Sequence, residues 1–549
     1  MDTETYDVAV LGADLSGTLL ASILGRQGFR VLLLEKGSLP RFAVGEAMLP
    51  PSSKLLWILG QRFDVPEIRH LSSCRSIREQ VSPTCGVQRS IGFLYHQEGR
   101  RQDPAKSHLL VPPATPLCAE SHLFRQEVDL YMLQAAIAHG AVYREGVDVR
   151  DLAAGPDGVL LRPAGGEEFR ARYLVDVSGR ESIAAARLGL REEEPPLLTR
   201  SRSIFTHMIG VERYDDLLEP GDDPGLSAQW YEGTLHHVFA GGWLWIVPFN
   251  NHDRSENPLC SVGLTLDMTR FPARGLAPEE EFAEIVARFP TIAAHLRGAE
   301  AVRPWVGTGR LQYSARGCQG DRVFLLGDSY GAVDPLYSRG LQSTLETLNA
   351  LAPRLLAALR DDDFARDRFA YPERLQAALL TATDRRVHDS YRAMACFPLW
   401  NAWLRLWVAA TMFEDLRLFR ACMRYLASSD PAHFARLDEG TPRGEDLGED
   451  LLALGGELLD GVDAGEATAD KAADRILAAL AASPLPPVHR WGDPRARHLD
   501  FTPEKLGSLL RWGRTEAPRE IRRLFDFDPT VLGGLHEAEE TRALVGALA

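Results

Sequence analysis

The sequence predicts a mixed α/β chain: a parallel-stranded domain assembled from separate segments, an antiparallel sheet inserted into it, and a helical C-terminal region. Three observations predict it. A strand, glycine turn, helix and strand follow one another between Tyr6 and Glu35; period-two alternation dominates residues 201–269; and helical spacing sets Trp400, Trp403 and Trp407 on one face. With 549 residues there is room for two or three structural units around a large core.

Tyr6 to Leu11 reads as a buried strand, Gly12-Ala13-Asp14-Leu15-Ser16-Gly17 as a glycine-bounded turn, and Thr18 to Gly28 as a helix. Arg30 to Leu34 then forms a second strand that ends on Glu35. This order is the dinucleotide-binding fingerprint. Gly12 and Gly17 let the backbone approach a pyrophosphate at a helix N-terminus, where unpaired N–H groups favour negative charge, and Glu35 can accept from ribose hydroxyls. Gly12, Asp14, Ser16, Gly17 and Glu35 are therefore candidate nucleotide contacts. Asp14 stands where the middle glycine belongs, and puts a carboxylate beside two phosphates unless it turns away or caps the helix. An ordinary βαβ turn is the bland alternative, and the acid at the end of the second strand argues against it.

A formal net charge of -15 with no basic stripe argues against a nucleic-acid partner. The first apolar run is the strand itself, so no signal peptide is expected. No uncharged apolar run approaches a membrane span, and Arg405 interrupts the best candidate. Seven cysteines without a C-x-x-C pair suggest reduced thiols rather than disulfides or a zinc site, and a cytoplasmic protein. No metal is expected.

Pro40 to Pro50 is a proline-bounded loop carrying Arg41, Gly45 and Glu46. Gly86 to Gly99 looks like a strand and turn, and Arg125 opens a helix that runs to His139. Tyr173 to Arg180 is a hydrophobic strand ending in a small-residue turn with Asp176 and Gly179. The alternating region holds His236, His237, Trp243 and Trp245; a helix near Glu280 to Phe289 follows, then a strand at Val323–Leu326 that leads to Asp328. These patterns place the nucleotide domain at about 1–70, 120–200 and 300–372, the inserted sheet at about 75–118 and 200–300, and the helical domain at 373–549. Within the last, residues 438–482 read as an Ala-, Gly- and acid-rich separator before a helical segment near Pro503 to Phe525. The tryptophan face reads as core, with a lid over a pocket as the alternative. An imidazole titrates near neutrality, so His96, His236 and His237 are candidate bases, but each reads as structural or exposed, and alternation lets at most one of the adjacent pair face a pocket.

Four separated segments resemble flavin-dependent halogenases and, more loosely, flavin monooxygenases. These are the Pro40–Pro50 loop, the R-x-x-x-D of Arg125 and Asp129, the pair Trp243 and Trp245 with Pro248 (W-x-W-x-x-P with one conservative change), and Gly327-Asp328-Ser329 running through Pro335 to Ser338, Arg339 and Gly340. The resemblance covers Tyr6 to about Ala352 and implies a hydroxylase-type, glutathione-reductase-like Rossmann domain that binds FAD. It implies that Asp328 accepts from a ribityl hydroxyl, that Arg41, Gly45, Glu46, Arg125, Asp176, Gly179 and Pro335 lie at the cofactor, and that the amides of Arg339 and Gly340 hold halide near Ser338. It also implies a separate flavin reductase, since no second fingerprint serves a nicotinamide.

In that family a lysine holds hypohalous acid beside the substrate, and aligning on Phe93 puts Gln88 at its position. An amide has neither the charge nor the amine. Ala332 stands where an aromatic residue is usual, and Tyr337 replaces a glutamate of tryptophan halogenases, which excludes free tryptophan as the expected substrate. The favoured expectation is therefore an oxygenase that uses a flavin C4a-hydroperoxide, without halide, on an aromatic or natural-product substrate, either a small molecule or carrier-bound. The alternative is halogenation of a non-tryptophan substrate, with Gln88, Trp243, Trp245 and Ser338 as the catalytic candidates; a non-catalytic flavoprotein-fold module is the lesser one.

Overall fold

The computed structural model describes residues 5–113, 120–439, 447–528 and 531. Strand Thr5–Leu11 lies inside an eight-stranded sheet, parallel to Val31–Leu34 on one side and to Phe169–Asp176 on the other. Val8, Ala9 and Val10 are wholly buried, as in a strand of a parallel sheet covered on both faces, which is why the strand reads as a continuous apolar run. Val142–Arg144 extends one edge; Val323–Leu325 and Gln319–Gly320 extend the other, and the hairpin Val149–Gly155 and Gly158–Pro163 attaches to Phe169–Asp176. In register, Leu11 faces Leu34 and Asp176, and Asp176 faces Leu325. Four chain turns therefore leave the sheet at one carboxyl edge, where ligands of open α/β sheets bind.

The second sheet has nine strands, in the order Glu300–Ala301, Ser201–Ile209, Cys260–Asp267, Gly242–Pro248, Gly233–Phe239, Ser90–Tyr95, Ser107–Val111 and Leu499–Asp500, with Val306–Gly307 also on Ser201–Ile209. The alternation over 201–267 gives antiparallel neighbours as expected, but Gly233–Phe239 runs parallel to Ser90–Tyr95, and Leu499–Asp500 parallel to Ser107–Val111. The C-terminal region thus adds a strand to the inserted sheet. One sheet face packs on helices Pro278–Val286 and Pro290–His295 through Ile204, Leu235, Leu244 and Val262; the other faces the nucleotide domain. The expected strand from Gly86 to Gly99 is broken at Arg89. Gly86–Gln88 pairs with Glu120–His122 in a separate two-stranded ribbon, and only Ser90–Tyr95 joins the large sheet.

Helices Arg339–Asp361, Ala370–Ala393 and Phe397–Ser428 lead into the C-terminal region. The acid-rich stretch is not a separator: Leu447–Asp463 and Ala469–Ala482 are helices packed on Phe397–Ser428. Leu451, Leu452, Leu458, Ile476 and Leu480 face inward, and a Cβ at Gly455 would meet Leu406 at 2.5 Å, so the small residues that resemble a linker are close-packing positions. Trp400, Trp403 and Trp407 are all buried. Burying an indole of roughly 200 Å2 is worth about 5 kcal/mol, so lifting the three as a lid would cost about 15 kcal/mol, as much as a domain's whole net stability; they are core. Among the described residues no helix is long and apolar enough to cross a membrane, and no group of three or more His, Cys, Asp or Glu could hold a metal ion.

Candidate functional site

A cavity of about 970 Å3 opens at the carboxyl edge of the first sheet, between the first glycine turn, the 44–47 loop, the inner face of the second sheet and the chain from Leu326 to Thr344. Its volume is that of a cofactor or ligand site.

At its nucleotide end Gly12 has φ 104, and a Cβ there would lie 3.0 Å from the Val177 carbonyl; a Cβ at Gly17 would lie 2.0 Å from the Gly12 carbonyl. Only glycine permits this approach of turn and helix. Asp14 is the N-cap of helix Leu15–Arg26, its Oδ1 accepting from the Gly17 amide at 3.0 Å. Surrounding protein pushes its carboxyl up to about 6, opposed by that amide and by Arg125. Asp14 and Ser16 both line the cavity. Glu35 ends the second strand, with Oε2 accepting from the Ala13 amide at 3.0 Å and Oε1 from Gly37 at 2.9 Å and from Arg41 at 2.5 Å. Burial pushes Glu35 up, but those amides and Arg41 outweigh it and hold the carboxyl below its usual value. Arg41 thus contacts Glu35 and does not itself line the cavity. Arg125 does, gripping Asp129 with two nitrogens at 2.8 and 3.0 Å and donating to the Val44 and Gly45 carbonyls, so it clamps the loop that carries Gly45 and Glu46 into the wall. Glu46 is buried against His207 at 2.6 Å. The glycine cradle and the acid at the second strand suit a dinucleotide, and the capping bond draws Asp14 toward its own helix.

Gly12, Gly17 and Glu35 are likewise outside the lining, and two further expected cofactor contacts, Asp176 and Gly179, stand back from the cavity. Asp176 is fully buried and spends its carboxylate on the Ser178 and Ala184 amides and the Ser178, Ser182 and Ser329 hydroxyls, at 2.6–3.2 Å. Gly179, with φ 81, donates its amide to Ser329 Oγ at 2.9 Å. Both tie the exit turn of one strand to the Gly327–Ser329 turn of its neighbour, so they position Asp328 rather than reach a ligand. Asp328 opens onto the cavity but is surrounded by protein, and this desolvation raises its carboxyl, opposed by Arg125.

At the other end Tyr337 (φ 71) and Ser338 (φ 51) are consecutive left-handed residues, a strain of about 1–2 kcal/mol each. Tyr337 is held by stacking on Trp407, 4.4 Å between centroids, and by a 2.8 Å hydrogen bond to Ser390. Pro335, Ser338, Arg339 and Gly340 all line the cavity. Ser338 caps helix Arg339–Asp361 without a side-chain hydrogen bond, and a Cβ on Gly340 would meet nothing within 4 Å, which leaves first-turn amides beside open space. The Arg339 guanidinium turns away to Glu414 at 2.8 Å.

Trp243 and Trp245 form the facing wall, centroids 5.5 Å apart. Trp245 lies over Gly263, where a Cβ would fall 1.9 Å from the ring. Trp243 Nε1 donates to Tyr391 at 3.2 Å, and Tyr391 donates to Asp334 at 2.9 Å. Asp334 also accepts from Ser201 and, at 2.9 Å, from the Leu336 amide; burial raises its carboxyl against these bonds. Sequence reasoning missed Asp334 and Tyr391, and with them Gln376, Leu380 and Thr383, which helix Ala370–Ala393 adds to the wall. Asp334 next to the Pro335 turn was a usable signal; the helix gave none.

Gln88 does not line the cavity. It is buried in the side ribbon and its Oε1 accepts from the Met48 amide at 3.1 Å, a backbone role that an amide fills and an ammonium cannot. The lysines of the chain are Lys36, Lys54, Lys106, Lys471 and Lys505, and none is in the cavity wall. His96, His236 and His237 are all buried rather than exposed; His236 lines the cavity, and His237 points to the opposite core.

No protein-family model matches the chain. It is 40% identical over 544 residues to the monodechloroaminopyrrolnitrin halogenase PrnC of Pseudomonas fluorescens, covering 96% of this chain and 95% of that one. It is 41% identical over 526 residues to the tetracycline 7-halogenase of Kitasatospora aureofaciens, covering 94% of each. The crystal structure of halogenase PltM in complex with phloroglucinol and FAD superposes with a TM-score of 0.84 at 31% identity, over 90% of this chain and 99% of that one. Halogenation, the alternative drawn from the sequence, therefore lies nearer than the halide-free oxygenation it favoured. The chain belongs to the flavin-dependent halogenases.

Proposed function

We propose that the protein chlorinates or brominates an electron-rich aromatic small molecule other than free tryptophan, with FAD as cofactor and dioxygen and halide as co-substrates. One observation carries this reading: Trp243, Trp245, Asp328 and the Pro335–Gly340 turn, distant in sequence, line a single cavity that also reaches the first glycine turn. The relatives' names point to aminopyrrolnitrin, tetracycline and phloroglucinol, rings activated by amino or hydroxyl donors. Bound FAD, once reduced, supplies the electrons with which dioxygen oxidises halide to an electrophilic halogen. The chain's own residues do the rest. Gly12 and Gly17 admit the diphosphate to helix Leu15–Arg26, Glu35 takes ribose hydroxyls, and Asp328 takes a ribityl hydroxyl. The amides of Arg339 and Gly340 hold halide, and the indole wall keeps water out and the substrate apart from the flavin. A separate reductase provides reduced flavin, and Cys85, Cys260, Cys318 and Cys396, none of them in a disulfide, suit the cytoplasm.

The cavity wall holds no lysine, and this favours halide-free oxygenation as the second reading. Both are tested by supplying a flavin reductase, dioxygen and candidate phenols and anilines, with and without chloride or bromide. Halogenated product that requires halide supports the first reading; oxygenated product formed equally without halide supports the second.

A further inference from the structure

His236 is a group in the cavity wall that the reading above leaves unused. It sits on strand Gly233–Phe239, and its Nδ1 lies 3.0 Å from the Gly92 carbonyl. A carbonyl can only accept, so Nδ1 carries the proton, and in the neutral ring Nε2 is a bare acceptor. That nitrogen has no hydrogen-bond partner among the described residues, and it is not one of the polar atoms sealed from solvent without a partner. The ring is fixed from both sides: Phe93 stacks on it at 4.5 Å and 13°, and Trp243 lies at 5.7 Å. Its neighbours differ. His237 spends both nitrogens on His96 and His295, at 2.9 and 3.0 Å, and His122 spends both on the Pro248 carbonyl and Thr234, at 2.7 and 2.9 Å. Burial pushes His236 down to about 4 against the Gly92 carbonyl, so the ring is neutral at pH 7.

We infer that His236 is a catalytic residue: its Nε2 is the general base that takes the O–H proton of a phenolic substrate lying against Trp243 as the ring is halogenated. This rests on the halogenase reading and narrows its substrate to rings with a free hydroxyl. Hypohalous acid is the co-reactant. The ring carbon attacks halogen, the carbon–halogen bond forms and the halogen–oxygen bond breaks, and hydroxide leaves. The phenolic proton passes to Nε2 as the oxygen becomes a ketone, and hydroxide recovers that proton as water. Loss of the ring C–H proton, with reprotonation of the oxygen, restores the aromatic halophenol. The sum is phenol plus hypohalous acid giving halophenol plus water.

A competition experiment isolates this step from flavin chemistry. Resorcinol and its dimethyl ether are supplied together, with reductase, FAD, dioxygen, bromide and methionine to scavenge escaped hypohalous acid, and the ratio of brominated phenol to brominated ether is read by mass spectrometry. His236→Asn keeps a side-chain N–H for the Gly92 carbonyl and removes the Nε2 acceptor; His236→Gln is the second variant, and a product ratio is insensitive to partial misfolding. The ratio should fall about 100-fold in both, the contribution of a positioned base. An unchanged ratio overturns the role of His236 while leaving halogenation standing. Oxidised methionine without brominated phenol in the wild type overturns the phenol assignment. Neither brominated product nor oxidised methionine would remove the halogenase reading and this inference with it.

Discussion

Glu414 joins the Pro335–Gly340 turn to the C-terminal helices, and its replacement has a calculable cost. It lies on helix Phe397–Ser428 between two buried guanidiniums, Arg339 at 2.8 Å and Arg386 at 3.2 and 3.3 Å. Burial pushes its carboxyl up, but Arg339 and Arg386 outweigh this and hold it far below the carboxylate range, so it is ionised at any working pH. Glu414→Gln keeps the shape and removes the charge. The amide nitrogen cannot accept, so the guanidinium bonds at one end of the side chain are lost, and those at the other end lose an anionic acceptor and weaken by about 1 kcal/mol each. Arg386 retains Glu449 at 2.6 Å, whereas Arg339, 3% exposed, loses the carboxylate that offsets its burial. The sum is about 3–5 kcal/mol, the range for a broken buried pair. Urea unfolding followed by tryptophan fluorescence measures it. The double variant Arg339→Met with Glu414→Met should recover most of the loss, because removing both charges avoids the stranded one. A loss below about 1 kcal/mol for Glu414→Gln would refute the argument that this carboxylate fixes the strained turn.

Gly17→Ala should weaken FAD binding at least tenfold by flavin fluorescence titration, since its Cβ would meet the Gly12 carbonyl at 2.0 Å and force turn and helix apart; unchanged affinity would discredit the fingerprint. Gln88→Lys should not raise halogenation and should lower stability by about 1–3 kcal/mol, because the Met48 amide loses its acceptor and a charge enters a buried ribbon; a large gain in halogenated product would show that the ribbon is part of the reaction site. Acid should destabilise the fold. His122 and His236, both pushed down to about 4 by burial, bind fewer protons folded than unfolded, so nothing is lost above about 6.5 and the loss grows as pH falls toward 4. Each contributes about 2 kcal/mol of loss between pH 7.5 and pH 5. A melting temperature independent of pH over that range would contradict the buried neutral rings.

The nucleotide sheet was legible because parallel strands buried on both faces, such as Val8 to Val10 and Leu32 to Leu34, write themselves as apolar runs closed by Gly12 and Glu35. The cavity was legible where backbone geometry demands particular residues, Gly12 and Gly17 at the close approach; the Pro335–Gly340 turn was legible only through its resemblance to a family pattern, and nothing in its residues announced the left-handed Tyr337 and Ser338. Roles set by side-chain packing were hidden. Asp176 looked like a ligand contact, yet it satisfies buried amides and hydroxyls that only the folded neighbours bring to it. Alternation placed His236 and His237 on opposite faces but could not say which face held the cavity. The helices of 447–482 were hidden by their composition, since Ala, Gly and outward acids mark both linkers and tightly packed hairpins. Tyr391, which holds Trp243 and Asp334 together, comes from a helix with no motif at all.

If the separated segments enclose one site, dioxygen's oxidising power is delivered there to halide and not to substrate. The most direct measurement is mass spectrometry of the aromatic product formed with reductase, FAD, bromide and 18O-labelled dioxygen. Product should carry bromine and no 18O, and no substrate should turn over when bromide is left out. Product that carries 18O and no bromine, formed at the same rate without halide, would contradict it.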